Sequence, residues 1–327
     1  MAKYKLAISI PTYERPDCVT GLVDYMIEEA ERLNVGIYVF DGSEKDDTEN
    51  VCKKYEKYNC FNYVRHSGTV AKRHGEAIWK PDCDYLFLTR DRTVLKLEFW
   101  PLLLKVLEEQ CDVYLLMAFD NPEQDHIKYY TNPKELAFDL IRSMTYFGSF
   151  VVKRDFLRNI KETNETYLSN FPLVYKVLDS AAYKSDFKAL YLPFGGHKGF
   201  CQLFEEIESD HRQGKVFLEV WGKCWACFIE NLPNYYNDCK AKLILDRSCD
   251  HWSFLHFLTL CRKGTLSPKL LKEYKEYIVK VTKVPWWVMI SFAYMPTFIP
   301  HTLREIIRPF VRLYRAKKTE KARKSCR

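Results

Sequence analysis

Short apolar runs alternate with segments of helical hydrophobic spacing over the first 120 residues, and this alternation constrains the fold most. The apolar runs predict strands at Lys5–Ile10, Gly36–Phe40, Phe61–Val64, Tyr85–Leu88 and Val113–Phe119. The intervening spacing predicts helices at Pro16–Leu33, Glu44–Tyr58, Thr69–Trp79 and Leu95–Gln110. Because strands joined through helices pair in parallel by right-handed crossovers, we predict an α/β fold with a mostly parallel sheet and helices on both faces.

The pattern becomes less regular after Asn121. We predict a strand at Thr145–Lys153 and helices at Phe171–Ala182, Phe200–Arg212 and Val216–Asn231. No internal repeat is visible, and no segment is rich enough in Pro, Gly or Ser to act as a linker between independent domains. One catalytic-sized domain with helical additions is the simplest organisation.

Composition excludes several classes of protein. Aromatic residues make up 15% of the 327 residues and apolar residues 47%, which is incompatible with a mainly disordered chain. The 12 cysteines form no disulfide framework, and no apolar leader precedes the first strand, so we expect reduced thiols in the cytoplasm. The pair Cys224 and Cys227 lies in a helical pattern without a second pair, which favours buried structural thiols over a redox or zinc site.

Polar residues follow three of the predicted strands at the point where each strand ends. The segments are Pro11–Pro16, Asp41–Thr48 and Thr89–Arg92. Each alone is typical of a turn, a helix cap or a solvated loop. Ligands of open parallel sheets bind beyond the carboxyl ends of the strands, where all three segments would meet. Their joint occurrence therefore favours a binding site at one edge of the sheet.

These segments carry a resemblance to a known family. SIPTYERP (Ser9–Pro16), VFDGSEKDDT (Val39–Thr48) and DYLFLTRDR (Asp84–Arg92) resemble, in this order, the signatures of family two glycosyltransferases with the GT-A fold. A weaker likeness at Tyr146–Leu157 resembles the later acceptor-side strand. The resemblance implies a nucleotide-sugar half over residues 1–120 and an acceptor-side half over 121–235. For residues 236–327 we predict a helical, membrane-associating extension from the charge pattern described below.

The resemblance also implies roles for individual residues. Asp41 would accept the N3 hydrogen of a uracil base, and Arg73 would reach toward the phosphates of the nucleotide. The base and ribose would be walled by four residues, Pro11, Thr12, Tyr13 and Glu14.

The metal motif departs from the family pattern. Relatives carry two or three acidic residues there, which hold Mg²⁺ or Mn²⁺ on the diphosphate, whereas this chain offers Arg90, Asp91 and Arg92 after Thr89. Three readings stay open: a metal held by Asp91 and the diphosphate, a metal-free enzyme in which Arg90 or Arg92 neutralises the leaving phosphates, or a protein without turnover.

An inverting transfer needs a general base near the acceptor hydroxyl. The family supplies an acidic residue from the second half, but its usual Glu-Asp signature is absent. Asp179 and Asp120 are the candidates, and His197 in the loop Pro193–Gly199 is a further possibility.

Charge is concentrated at the C-terminal end. Residues 303–327 carry ten basic and two acidic side chains, a net charge of +8, while the whole chain carries +7. Apolar and basic residues alternate there with helical spacing, which predicts a basic amphipathic helix that binds an anionic membrane surface. The preceding segment Val284–Pro300 is uncharged, but its 17 residues and three prolines do not suit an ordinary transmembrane helix.

We therefore expect a cytoplasmic hexosyltransferase, peripheral on the inner face of a bacterial cell membrane. By resemblance it transfers a sugar with inversion from a nucleotide donor, UDP first, to a lipid-linked saccharide in surface polysaccharide synthesis. The altered metal motif motivates a second hypothesis, a non-catalytic GT-A-like subunit that binds a nucleotide or a partner enzyme. A nucleic-acid binder is disfavoured because the basic charge lies at one end.

Overall fold

The computed structural model describes residues 2–117, 126–159, 170–194, 196–204, 214–247, 252, 254–262, 266–295, 302 and 306–307. The strands are β1 (Tyr4–Thr12), β2 (Gly36–Asp41), β3 (Phe61–Arg65), β4 (Cys83–Leu88), β5 (Thr93–Leu95), β6 (Val113–Leu115), β7 (Lys128–Tyr130), β8 (Phe150–Lys153), β9 (Ala189–Tyr191) and β10 (Phe200–Gln202). The helices are α1 (Pro16–Leu33), α2 (Asp47–Cys52), α3 (Val70–Trp79), α4 (Trp100–Val106), α5 (Pro133–Met144), α6 (Pro172–Ala182), α7 (Gly214–Phe217), α8 (Trp225–Glu230), α9 (Lys240–Arg247), α10 (Phe254–Arg262), α11 (Pro268–Glu273), α12 (Lys275–Val281) and α13 (Trp286–Tyr294).

The chain divides into two compact units. The first comprises Met1–Glu206 with Asn231–Cys239, and the second comprises Ile207–Glu230 with Lys240–Arg327. All ten strands belong to the first unit. The second is helical in its described part, where a π-helical segment, Leu218–Cys224, joins α7 to α8. The functional division at residues 120 and 235 stays a prediction.

An eight-stranded sheet forms the centre of the first unit. Its order is β3-β2-β1-β4-β8-β6-β9-β7, and six of the strands run in the same direction, with β8 and β7 antiparallel to them. All six residues of β2 are buried, as are seven of the nine residues of β1. Strands this continuously apolar are typical of a sheet covered on both faces. The prediction of a mostly parallel α/β fold is confirmed.

The described helices match the sequence pattern best where hydrophobic spacing is regular. Helix α1 has the predicted bounds, with a proline at its first position and its seven buried residues on one face. Helix α3 begins one residue after the predicted start, because the Thr69 hydroxyl caps it by accepting from the amide of Lys72 at 3.3 Å.

Several predicted elements are wrong in type or extent. Phe200–Gln202 is strand β10 rather than the start of a helix, because it pairs antiparallel with β5. The same pairing removes Leu95 from the predicted helix Leu95–Gln110, which begins instead as a 3₁₀ turn at Leu97. The predicted strand Thr145–Lys153 is extended only from Phe150, and helix α5 was not predicted.

Gly148 makes the turn that shortens this strand. Its φ of +89° lies in the left-handed region, and its amide donates to the carbonyl of Leu88 at 2.8 Å, directly at the end of β4. A β-carbon at this position would lie 2.9 Å from Thr89 Oγ1. The turn and the end of β4 therefore fit together only with glycine.

Replacement of Gly148 by alanine is expected to lower the free energy of unfolding by about 1–3 kcal/mol, because the side chain meets both backbone strain and a close contact. Gly222→Ala is the control. Its β-carbon would have only an ordinary contact at 3.5 Å, with Trp252, so the change should be neutral or stabilising by up to about 1 kcal/mol. Urea denaturation of both variants measures the difference, and equal losses would contradict the assignment.

Candidate functional site

Strand register brings the three polar segments to one edge of the sheet. Thr12 pairs with Asp41 across β1 and β2, and Ser9 pairs with Leu88 across β1 and β4. Beyond these pairs, the amide of Gly42 donates to Thr12 O at 3.1 Å and the amide of Thr89 donates to Ser9 O at 2.9 Å. The carboxyl ends of the three strands are thus adjacent, as the sequence predicted.

Glu14 and Ser43 lock two of these segments together. The Glu14 amide donates to Ser43 Oγ at 2.7 Å, while Glu14 Oε1 accepts from the amides of Glu44 and Lys45 at 2.8 and 3.2 Å. Glu14 has a φ of +52°, a conformation that non-glycine residues rarely adopt. These reciprocal bonds hold the loop after β1 against the loop after β2.

Asp41 is fully buried and both of its carboxylate oxygens accept hydrogen bonds. The amide of Ser43 donates to Oδ1 at 2.8 Å, and the Ser43 hydroxyl donates to the same oxygen. Oδ2 accepts from the Tyr63 hydroxyl at 2.8 Å and from Arg65 Nη1 at the longer distance of 3.4 Å. A ligand donor would therefore replace one of these partners, of which Arg65 is the weakest.

Tyr63 and Arg65 were not anticipated as partners of Asp41. Their signal lies in the parallel pairing of β2 with β3, which aligns Asp41 with Arg65. That pairing joins residues that are 24 positions apart, so local spacing could not reveal it.

Arg73 lies at the same edge, on α3. It is only 7% exposed, its Nε is buried, and no hydrogen-bond acceptor for Nε occurs in the described part of the chain. Burial lowers the pKa of Arg73, while the negative charge of Asp41 acts in the opposite direction. The Tyr13 ring, with its centroid 5.5 Å from the guanidinium carbon, is 45% exposed. The arrangement offers a buried cation and an open aromatic ring side by side.

Gly42 makes room for this guanidinium. A β-carbon on Gly42 would lie 2.0 Å from Arg73 Nη1, so any other residue would push the arginine away. The glycine after Asp41 is therefore required by its packing against Arg73, which the sequence alone did not show.

Asp91 is buried and paired with a cation. Its Oδ2 accepts from the Thr12 hydroxyl at 3.0 Å, and Arg15 Nη1 lies 3.3 and 3.4 Å from its two oxygens. Arg92 Nε is farther away, at 3.8 Å from Oδ1. Arg15 was not among the predicted site residues, although its place directly before the first helix put it at this edge.

The only carboxylate of the motif is already engaged, so a divalent cation would have to compete for it. Mg²⁺ and Mn²⁺ bind several oxygen ligands, whereas Asp91 is the only acidic residue of the motif and already accepts from Thr12 and Arg15. No group of three His, Cys, Asp or Glu side chains that could hold a metal ion occurs among the residues described. The donor set at Asp91 is therefore that of an ion pair.

The two arginines of the motif differ in their surroundings. The Arg90 guanidinium lies 4.0 Å from the centroid of the Tyr146 ring, a cation–π contact with the turn that contains Gly148. Arg92 is 11% exposed in its side chain, and its Nη1 is buried without a hydrogen-bond partner in the described residues. Arg92 and Arg73 thus both have a buried nitrogen that lacks an acceptor.

Asp179 does not join this group. Asp179 lies near the end of α6, five residues before Lys184, whose Nζ binds Asp112 at 2.6 Å just before β6 begins. This is the amino-terminal edge of the parallel strands, opposite to the polar edge. Asp120 and the side chain of His197 lie outside the described residues.

Cys224 and Cys227 lie in the second unit, at the junction of the π-helical segment with α8. Both are thiols, Cys224 is buried, and burial raises the pKa of Cys227. Cys227 is only partly buried, and the interpretation of the pair as structural thiols stays a prediction.

Comparison with known structures identifies the fold. No protein-family profile matches the chain, and neither does any curated protein sequence. Residues 1–349 of TarS from S. aureus superpose with a TM-score of 0.54 at 10% identity, covering 92% of this chain and 91% of that one. The same protein in complex with UDP superposes with a TM-score of 0.53 at 11% sequence identity, covering 92% of this chain and 91% of that one. A mannosyltransferase from Pyrobaculum calidifontis in complex with GDP-Man and Mn²⁺ superposes with a TM-score of 0.50 at 12% sequence identity, covering 92% of this chain and 87% of that one.

The chain therefore has the fold of GT-A glycosyltransferases, as its resemblance to family two implied. Identities of 10–12% establish the fold alone. The roles of individual residues stay predictions that rest on the geometry of the polar edge.

Replacement of Asp41 by asparagine is expected to lower the free energy of unfolding by about 3 kcal/mol, because four donors converge on a buried carboxylate. Asp46→Asn is the matched control, since Asp46 pairs with the same Arg65 at 3.3 Å but is 77% exposed. Its effect should stay within about 0.5 kcal/mol. Urea titration compares the two, and a neutral Asp41→Asn change would contradict the buried network.

Proposed function

We propose that this protein is a glycosyltransferase that binds a nucleotide diphosphate sugar, most simply a UDP-sugar, at the polar edge of its sheet. The observation that carries the proposal is the buried Nε of Arg73, which has no acceptor among the described residues, beside the exposed ring of Tyr13. A phosphate would supply the acceptor that Arg73 lacks, and the ring would supply a face for the base.

The base and ribose then lie against Pro11, Thr12, Tyr13 and Glu14. Asp41 Oδ2 accepts the N3 hydrogen of uracil by replacing Arg65, its longest hydrogen bond at 3.4 Å. The lock between Glu14 and Ser43 supports this placement, because it fixes the loop before any ligand arrives. Structures of similar fold contain UDP or GDP-Man, which agrees with a nucleotide ligand.

The leaving diphosphate lies against Arg73, Arg90 and Arg92. Charge develops on the leaving oxygen as the bond to the sugar breaks, and guanidinium groups fixed near it stabilise that charge. Inversion requires a general base from the acceptor side, for which Asp120 and Asp179 are the candidates. The placement of Asp179 toward the opposite edge favours Asp120 of the two.

A lipid-linked saccharide is the proposed acceptor, with the enzyme peripheral on the inner face of the membrane. Helix α13 supports this: its nine residues are uncharged, Met289 alone is fully buried, and Trp287 and Tyr294 are 69% and 64% exposed. Lys272 Nζ contacts the Tyr294 hydroxyl at 3.1 Å. Aromatic rings beside lysines are typical of membrane interfaces.

The predicted basic helix at 303–327 lies almost wholly outside the described residues; Ile306, within it, is 57% exposed. Within the described part, no helix combines the length and apolar composition needed to cross a bilayer. The exposed aromatic rings of α13 and the basic charge of residues 303–327 support adsorption as the mode of association that we propose.

The ion pair between Arg15 and Asp91 keeps a second candidate open, a GT-A-like subunit that binds nucleotide without turnover. Release of UDP from UDP-sugars, followed with membrane extract as the source of acceptor, decides between the two. Turnover abolished by Arg73→Gln supports the enzyme. Tight UDP binding without turnover of any UDP-sugar supports the binding subunit.

Replacement of Arg73 by glutamine is expected to weaken UDP binding about tenfold or more, because a charge-assisted bond to phosphate is lost. Binding of uridine, which lacks phosphate, should change little. Lys72→Gln is the matched control on the same helix, since Lys72 is exposed. Calorimetric titration with both ligands measures this, and an equal loss for uridine would contradict the phosphate assignment.

Replacement of Trp287 by serine is expected to weaken binding to vesicles about threefold or more, because the exposed indole no longer inserts among lipids. Deletion of residues 303–327 should remove the preference for anionic lipid over neutral lipid. Tyr183→Ser, which changes a 63% exposed aromatic residue of the first unit, is the control. Co-sedimentation of wild type and variants measures this, and unchanged binding in Trp287→Ser would refute the role of α13.

A further inference from the structure

We propose that Arg15 takes the charge-neutralising part of a divalent cation toward the diphosphate, and that Asp91 is a positioning residue for Arg15 rather than a metal ligand. The inference rests on the proposed nucleotide diphosphate donor. It adds a residue that the sequence motif did not indicate, and it makes nucleotide binding independent of metal.

The chemistry of the Asp91 carboxylate is the first step. Thr12 Oγ1 donates to Oδ2 at 3.0 Å, and Arg15 Nη1 lies within 3.4 Å of both oxygens. Asp91 is 3% exposed, so little of it faces solvent. A metal ion would have to displace the guanidinium from the only carboxylate of the motif, and it would then depend on the diphosphate and water for most of its ligands.

The remaining donors of Arg15 are the second step. A guanidinium has five N–H groups, and only Nη1 contacts Asp91. The side chain is 40% exposed, so Nε and Nη2 can reach a ligand while Nη1 stays on the carboxylate. A planar fork of this kind matches two oxygens of a phosphate.

The neighbouring arginines are the third step. Arg73 and Arg92 each have a buried nitrogen without an acceptor among the described residues, and the positive charge of Arg15 further lowers the pKa of Arg73. Like charges repel one another, and a bound diphosphate would relieve the repulsion. Asp91 is the fixed counter-charge that keeps Arg15 in place while the site is empty.

Arg15 belongs to the site for a structural reason as well. It immediately precedes Pro16, where α1 begins, and the carbonyl of Arg15 accepts from the amide of Val19 at 3.1 Å. The backbone of Arg15 is therefore fixed by the helix and its head group by Asp91. A cation anchored at both ends loses little further freedom when a phosphate binds.

The test measures UDP and uridine binding by calorimetry, in EDTA and in 1 mM Mn²⁺ (about a hundredfold over the protein). We expect wild-type UDP affinity to agree within about twofold in the two buffers, and Arg15→Ala to weaken UDP binding about tenfold or more in both. Uridine binding should not change. Lys45→Ala, which removes an exposed cation from the adjoining loop, is the matched control and should retain UDP affinity.

Arg15→Ala leaves Asp91 buried without its cation, so a second variant guards against misfolding. Arg15→Ala combined with Asp91→Asn removes both charges and keeps a hydrogen-bond acceptor for Thr12. It should melt close to the wild type and still bind UDP about tenfold more weakly. Arg15→Lys keeps the charge without the planar fork, so its affinity for UDP should lie between those of the wild type and Arg15→Ala.

The opposite results are equally clear. UDP binding that requires Mn²⁺ in the wild type and is unaffected by Arg15→Ala would overturn the inference and return Asp91 to the metal. Uridine bound as tightly as UDP would overturn the arginine cluster while leaving the base site intact. Failure of the wild type to bind either ligand would remove the proposed function and this inference together.

Discussion

Two buried carboxylates determine the form of the polar edge. Asp41 and Asp91 are each almost free of solvent contact, and removal of an ion from water is tolerable only where donors or cations surround it. Asp41 meets this condition through Ser43, Tyr63 and Arg65, and Asp91 through Thr12 and Arg15. Because these partners come from several loops and strands, the carboxylates force those segments into one arrangement. The edge is therefore built before a ligand arrives.

This arrangement leaves two arginines of the edge incompletely satisfied within the described part of the chain. The two carboxylates are satisfied by Arg65 and Arg15, yet Arg73 and Arg92 still have buried nitrogens for which the described residues provide no acceptor. A protein interior rarely tolerates such groups unless a ligand or function explains them. The likeness in fold and the unsatisfied arginines are independent observations, since the first concerns the path of the backbone and the second concerns side chains of this chain alone. The fold is that of GT-A glycosyltransferases, and the arginines are the observation that favours an anionic ligand.

The sequence predicted the fold where information is local and missed it where pairing is distant. Regular apolar spacing defined α1 to the residue, and continuous apolar runs located β1, β2 and β4. Strands of three residues, such as β5 and β10, carry no periodicity of their own and exist only because each pairs with the other. Helix α5 had a usable signal, because Asn132 caps it by accepting from the amide of Lys134 and Pro133 begins it. The signal was missed because the alternation of strand and helix patterns becomes irregular after Asn121.

In the candidate site, too, contacts between residues that are distant in sequence could not be predicted. Spacing brought Thr12, Asp41 and Asp91 to one edge because parallel strands end together, and the structure agrees. It could not show that Asp91 pairs with Arg15, 76 residues earlier, since that contact depends on how a loop enters α1. A motif read as a weakened metal site becomes, once its partner is known, a complete ion pair. From the sequence alone, Asp91 suggests a metal ligand, whereas in the structure it pairs with Arg15. The position of the Arg15 guanidinium, not the carboxylate itself, distinguishes the two interpretations.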